Sequence, residues 1–212
     1  MSALIAIDSL IADRRLWRGK SGALPGALPA SAEPTGFAAL DAALPTQGWP
    51  ESALIELLHA FDGMGELRVL LPTLSRHTQA GRRIALVAPP YLPNPRAWLA
   101  AGVDLQLLEV IDAERHTALW AVEQCLRSAC LAAVLCWPDS ADGRSDDKAL
   151  RRLQVAAESG HCLAFALRDQ SAARNPSPAP LRLQVEKDQL RILKCRGGNA
   201  SAQAIALPPV WH

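Results

Sequence analysis

Short apolar runs alternate along this chain with segments in which apolar residues recur every three or four positions. The runs at residues 53–58, 83–88, 107–111, 132–137 and 162–167 lack a period of two, as expected of strands buried on both faces of a parallel sheet. Between them the spacing predicts helices. Leu67, Leu70, Leu71 and Leu74 mark the first, with Pro72 inside it as a source of a kink. Residues 95–101 make a shorter one, Leu119, Val122 and Leu126 line a third over 117–128, and a fourth runs from about residue 146 to 158. Gly81, Gly102, Pro138 and the prolines at 89, 90, 93 and 95 punctuate these elements. Residues 181–185 do alternate with period two, turn through 187–189 and return over 190–195, the pattern of an antiparallel hairpin. The expected fold is therefore an α/β three-layer domain, with a mainly parallel central sheet, helices on both faces and a C-terminal antiparallel hairpin.

The two ends read differently. Asp8 can cap a helix over residues 9–18, and residues 19–34 are a linker rich in Gly, Ala, Ser and Pro. The core domain is expected over 35–198, opening with a short helix at 37–43, and 199–212 is read as a loose tail. Leu10, Ile11, Trp17 and Arg18 on the arm and Trp211 on the tail are candidates for partner binding, because tryptophan is enriched at interface hot spots. The alternative is that both ends fold back and pack on their own molecule.

Charge and composition narrow the function. Half of the 212 residues are hydrophobic and a fifth are charged, a globular composition, and the net charge of +1 does not describe a bulk nucleic-acid binder. Local basic groups are candidates for contact with DNA phosphates or an acidic partner. Lys148, Arg151 and Arg152 share one helix face, while Lys194 and Arg196, with Arg182 and Arg191, surround the hairpin; a merely solvated face is the alternative. No apolar run approaches the ~18 residues of a membrane span. The first residues lack a basic region, and the five cysteines form no Cys-x-x-Cys, which suits a reducing cytoplasm. The five histidines show no metal-ligand spacing, so no metal or other cofactor is expected; His59 is singled out only because it precedes the loop discussed next.

That loop lies between the first strand and the first core helix, where a phosphate-binding loop would sit. Laid over G-x-x-x-x-G-K-[ST], its ends read Ala60, Gly65, Glu66 and Leu67. Glu66 stands at the lysine position and Leu67 at the magnesium-ligand hydroxyl. Opposite unit charges ~4 Å apart attract by about 4 kcal/mol at an effective dielectric near 20, so replacing attraction by repulsion is a swing of roughly twice that. A micromolar nucleotide site has only about 8 kcal/mol in total. Neither ATP binding nor hydrolysis is expected, and Glu66 reads instead as a carboxylate facing a helix N-terminus.

The lead-in Thr35-Gly36-Phe37, Leu40-Asp41, Leu44-Pro45, Gly48-Trp49-Pro50 and Leu54-Ile55-Glu56 resembles the entry to the RecA ATPase core. Pro95 with Ala101-Gly102-Val103-Asp104 looks like the RecA segment after the second core strand. The match runs with gaps from about residue 35 to 198. With Leu16-Trp17-Arg18-Gly19 at the start and Leu193 through Gly198 at the finish, the chain most resembles the ImuA family of translesion-synthesis accessory proteins; SulA, the SOS division inhibitor, looks like a shorter relative. The resemblance places the catalytic glutamate near Pro89 and Pro90 and the Walker B aspartate on Trp137, so it implies a pseudo-ATPase. It sets the DNA-contacting loops at 139–145 and 168–180, the second with only Arg168 and Arg174. The implied role is a non-enzymatic adaptor of SOS mutagenesis. The implied partners are ImuB and, through it, the polymerase ImuC and the β clamp, with RecA as a further partner. Direct DNA binding stays open. The rival expectations are a SulA-like inhibitor binding FtsZ and, against four substitutions, an active RecA-like ATPase.

Overall fold

A computed structural model of the chain describes residues 33–138, 147–198 and 204–207, all within one compact unit. The expected arm, the linker as far as residue 32, the loop at 139–146 and the tail residues 199–203 and 208–212 lie outside the described residues. So do Leu10, Ile11, Trp17, Arg18 and Trp211.

The elements run α1 (Ala38–Ala43), β1 (Leu54–His59), α2 (Glu66–Gln79), β2 (Arg83–Val87), α3 (Pro95–Ala100) and β3 (Leu108–Ile111). They continue α4 (Arg115–Arg127), β4 (Leu131–Cys136), α5 (Asp147–Gly160), β5 (Leu163–Asp169), β6 (Leu181–Val185), β7 (Gln189–Cys195) and β8 (Ile205–Ala206). The strands form one eight-stranded sheet in the order β3-β2-β4-β5-β1-β6-β7-β8. Neighbours from β3 to β6 are parallel, and β7 and β8 add antiparallel, so the fold is mixed α/β as the periodicity indicates.

Alternate residues of β1 face opposite layers. Ile55 and Leu57 pack with Val69, Leu70 and Leu74 of α2 and Trp98 of α3. Leu54 packs with Val122 and Leu126 of α4 and Leu150, Leu153, Ala156 and Ala157 of α5. The continuous apolar run of β1 is the direct consequence of being covered on both sides.

Three features differ from the sequence expectation. The hairpin strand β6 also joins the parallel set, with Ile55 beside Leu181 in register. Ile205–Ala206 is a strand rather than loose tail, pairing Leu190 with Ile205, and both Ile205 and Leu207 are buried. Two residues are too few to show any period. Finally, β3 lies at the sheet edge with Glu109 and Val110 exposed, although its composition matches the buried strands.

The lead-in is built into the core. Glu33 bridges to Trp49, whose amide donates to the Glu33 carbonyl at 2.8 Å, so the last residues of the expected linker are held in place. A Cβ at Gly48 would stand 2.3 Å from that carbonyl oxygen, which leaves room for glycine alone. Trp49 is buried, meets Phe165 edge-on at 5.3 Å, and donates its indole N–H to Thr73 Oγ1 at 2.8 Å. Thr73 in turn donates to the Thr35 carbonyl, and the Thr35 amide donates to Asp41 Oδ1 at 2.8 Å. Thr35, Asp41 and Trp49 of the lead-in thus close this network with Glu33 and Thr73.

Candidate functional site

The loop between β1 and α2 turns through Gly63 (φ +85°) and Gly65 (φ +97°), left-handed conformations that side chains disfavour. Gly65 caps α2, and Glu66 begins it. The Glu66 side chain points inward: the residue is only 6% exposed, and Oε1 accepts the Gly63 amide at 3.2 Å. Its Oε2 is buried without a hydrogen-bond partner. The carboxylate therefore occupies the place and the donor that a loop of this kind offers to an anion. Leu67 packs against the core, and Arg68 Nη2 ties the helix start to the Lys187 carbonyl of the β6–β7 turn at 3.1 Å.

The positions expected to have lost their chemistry converge in space. Glu66, Leu67, Pro90 and Trp137 line one cavity of about 270 Å³, together with Asp62, Leu92 and Trp98. Ala60 and Gly65 shape the loop but do not line the cavity. Among the described residues two carboxylates and no lysine or arginine face it, an arrangement that repels a polyphosphate.

A larger cleft of about 900 Å³ adjoins it across the carboxyl ends of β1, β2, β4 and β5, the place where open α/β sheets take ligands. His59, Asp62, Tyr91, Asp112, Cys136 and Asp169 are among its walls. His59 is 4% exposed and neither ring nitrogen has a hydrogen-bond partner; Nδ1 stands 3.9 Å from Asp62 Oδ1. Hydrogen bonds from Ser171 hold the Asp169 carboxyl below its usual range. Burial pushes the Cys136 thiol up to about 12, which removes it as a nucleophile at neutral pH. No group of three or more potential metal-ligating side chains occurs among the described residues.

The basic residues singled out in the sequence are dispersed. Arg168 is not in a loop: β5 runs on to Asp169, and Arg168 is buried with Nη1 2.7 Å from Glu56 Oε1. On α5, Arg151 pairs with Asp147 at 3.0 Å and Arg152 with Glu123 of α4, while Lys148 is exposed. Lys194 donates to the Ser177 carbonyl at 2.7 Å; burial, with Arg182 and Arg196 nearby, lowers its pKa. Arg196 is exposed beside it in the chain.

The sequence reading missed the strongest electrostatic feature. Glu56, inside the apolar run of β1, is wholly buried and bound by both Arg168 and Arg182. Arg182 reaches further, donating to the carbonyls of Ala172 at 2.7 Å and Asn175 at 3.1 Å, and so pins the 3-10 turn after β5. A single glutamate within a hydrophobic run is the one signal that could have exposed it.

No family model matches the chain. It is similar to the cell division inhibitor SulA of Photorhabdus laumondii subsp. laumondii, 30% identical over 122 residues. That similarity covers 57% of this chain and 66% of the relative, so the chain spans just under two thirds of the curated relative it matches. A solved structure, SulA from Pseudomonas aeruginosa, superposes with a TM-score of 0.44 at 23% identity, over 54% of this chain and 97% of the other. A likeness so loose does not define the fold. The sequence similarity supports a relation to SulA and leaves the ImuA resemblance unconfirmed. No helix among the described residues is long and apolar enough to cross a membrane.

Proposed function

We propose that this chain is a non-enzymatic, protein-binding component of the SOS response in the cytoplasm, and that it acts as a SulA-like division inhibitor by binding FtsZ. The similarity to SulA carries this reading. The Glu66 cavity supports its non-enzymatic half, because carboxylates beside the β1–α2 loop disfavour a polyphosphate there. Overexpression in undamaged cells is the test of the inhibitor role. Filamentation, with FtsZ recovered on the purified chain, is expected; normal division would overturn it.

A second reading rests on a separate observation. The lead-in from Thr35 to Glu56, which carries the resemblance to the RecA core entry, is woven into the core through Trp49, Thr73 and Thr35. It favours an ImuA-like accessory of translesion synthesis, joined to ImuB and through it to ImuC and the β clamp, with RecA as a further partner. Normal division together with co-purification of ImuB would select this role. In either case calorimetry with Mg·ATP is expected to show no saturable binding, and a micromolar affinity would restore the ATPase reading.

A further inference from the structure

Phe61, Tyr91 and Leu92 are the most exposed large apolar side chains of the described residues, at 66%, 68% and 92%. They are not scattered: all three stand on the loops after β1 and β2 and border the two adjoining cavities. Exposed apolar groups gathered in one place mark an interaction surface. The smaller cavity, at about 270 Å³, lies below the roughly 300–1,000 Å³ of small-molecule pockets and fits one large side chain instead. Leu67, Leu86, Pro93, Trp98 and Trp137 give it apolar walls.

Its polar groups select the partner. Asp62 and Glu66 contribute negative charge, Asn94 is the other polar wall, and no lysine or arginine among the described residues lines it. Glu66 Oε2 is a buried acceptor with no donor. Across the larger cleft Asp112 and Asp169 extend the acidic lining; Arg115 and Arg168 are its positive side chains, and Arg168 is paired with Glu56. We propose that this rim docks a segment of a partner protein in which a large aromatic anchor is flanked by lysine or arginine. The anchor fills the smaller cavity between Leu92 and Trp137, and its basic neighbours meet Asp62 and the acidic wall of the cleft. This names the surface for the protein-binding reading above and rests on it.

The full chain is titrated by fluorescence anisotropy into a labelled peptide, Lys-Lys-Ala-Trp-Ala-Lys-Lys. Saturable binding near 10–100 μM is expected, weakened about tenfold or more when alanine replaces the tryptophan or glutamates replace the lysines. Leu92→Lys and Asp62→Lys, both at exposed positions, should weaken it as strongly while leaving the unfolding midpoint in place. No saturation up to about 1 mM, equal binding of the tryptophan-free peptide, or undiminished binding by both variants would overturn the site. FtsZ or ImuB co-purifying equally with Leu92→Lys would reject this surface yet leave the protein-binding reading standing.

Discussion

Glu56 lies within β1 and Glu66 opens α2, on either side of one loop, and both are buried, but their surroundings are opposite. Glu56 has two guanidinium groups on its two oxygens, supplied by the neighbouring strands β5 and β6. Glu66 has one backbone amide on one oxygen and nothing on the other. The first carboxylate is a structural junction, tying three parallel strands and the turn beyond β5 into one unit. The second is a leftover of local chain geometry, held by the loop and by the N-terminus of α2. The same residue type thus stabilises on one side of the loop and leaves an unmet acceptor on the other. The difference lies in what the adjacent strands bring.

The contrast can be broken most directly at Glu56. Glu56→Gln leaves two buried arginines without their counter-charge and should cost about 3–5 kcal/mol in urea unfolding. A loss below about 1 kcal/mol would mean the trio is solvated and the contrast is wrong. Arg182→Lys keeps the charge but cannot hold Glu56 and the Ala172 and Asn175 carbonyls together. A loss of about 2–3 kcal/mol is expected, with faster proteolysis of the turn at residues 170–174 as a second readout.

Glu33 offers an intermediate case. Burial works to raise its carboxyl, but contacts with His77 and Arg76 outweigh this and hold it below the ordinary value of 4.5. His77 Nε2 stands 2.8 Å from Glu33 Oε1. A folded-state pKa that is lowered contributes stability fully above the unfolded value, and that contribution is lost as pH falls through the folded value. Stability should therefore drop below about pH 4.5 in the native chain, and this drop should shrink in Glu33→Gln. Identical acid limbs for the two proteins would show that Glu33 docks without ionic help. The smallest effect is expected at Glu66. Glu66→Gln trades a weak helix-terminus interaction for a neutral acceptor and should shift stability by no more than about 1 kcal/mol. A larger loss would place Glu66 in the same structural class as Glu56.

Much of the fold was legible from residue order alone. Strands that carry apolar residues on both faces betray a parallel sheet, and Leu67, Leu70 and Leu74 mark the helix face that covers it. Glycine and proline placed the breaks, because their backbone limits are local. The glycine-bearing loop between β1 and α2 was equally visible, with Glu66 and Leu67 at the start of the helix that follows it. Contacts between distant residues were not legible. Arg168 reads as a loop cation in the sequence and becomes a buried partner of Glu56 only when β5 lies beside β1. Ile205–Ala206 reads as tail and becomes strand only because β7 presents an open edge. Likewise, Pro90 and Trp137 belong to separate strand ends and share one cavity with Glu66 only after β2 and β4 pair. Burial periodicity is written along the chain and needs no partner to be read. Charge pairing, edge pairing and cavity walls depend on which strands become neighbours, and tertiary packing alone decided that.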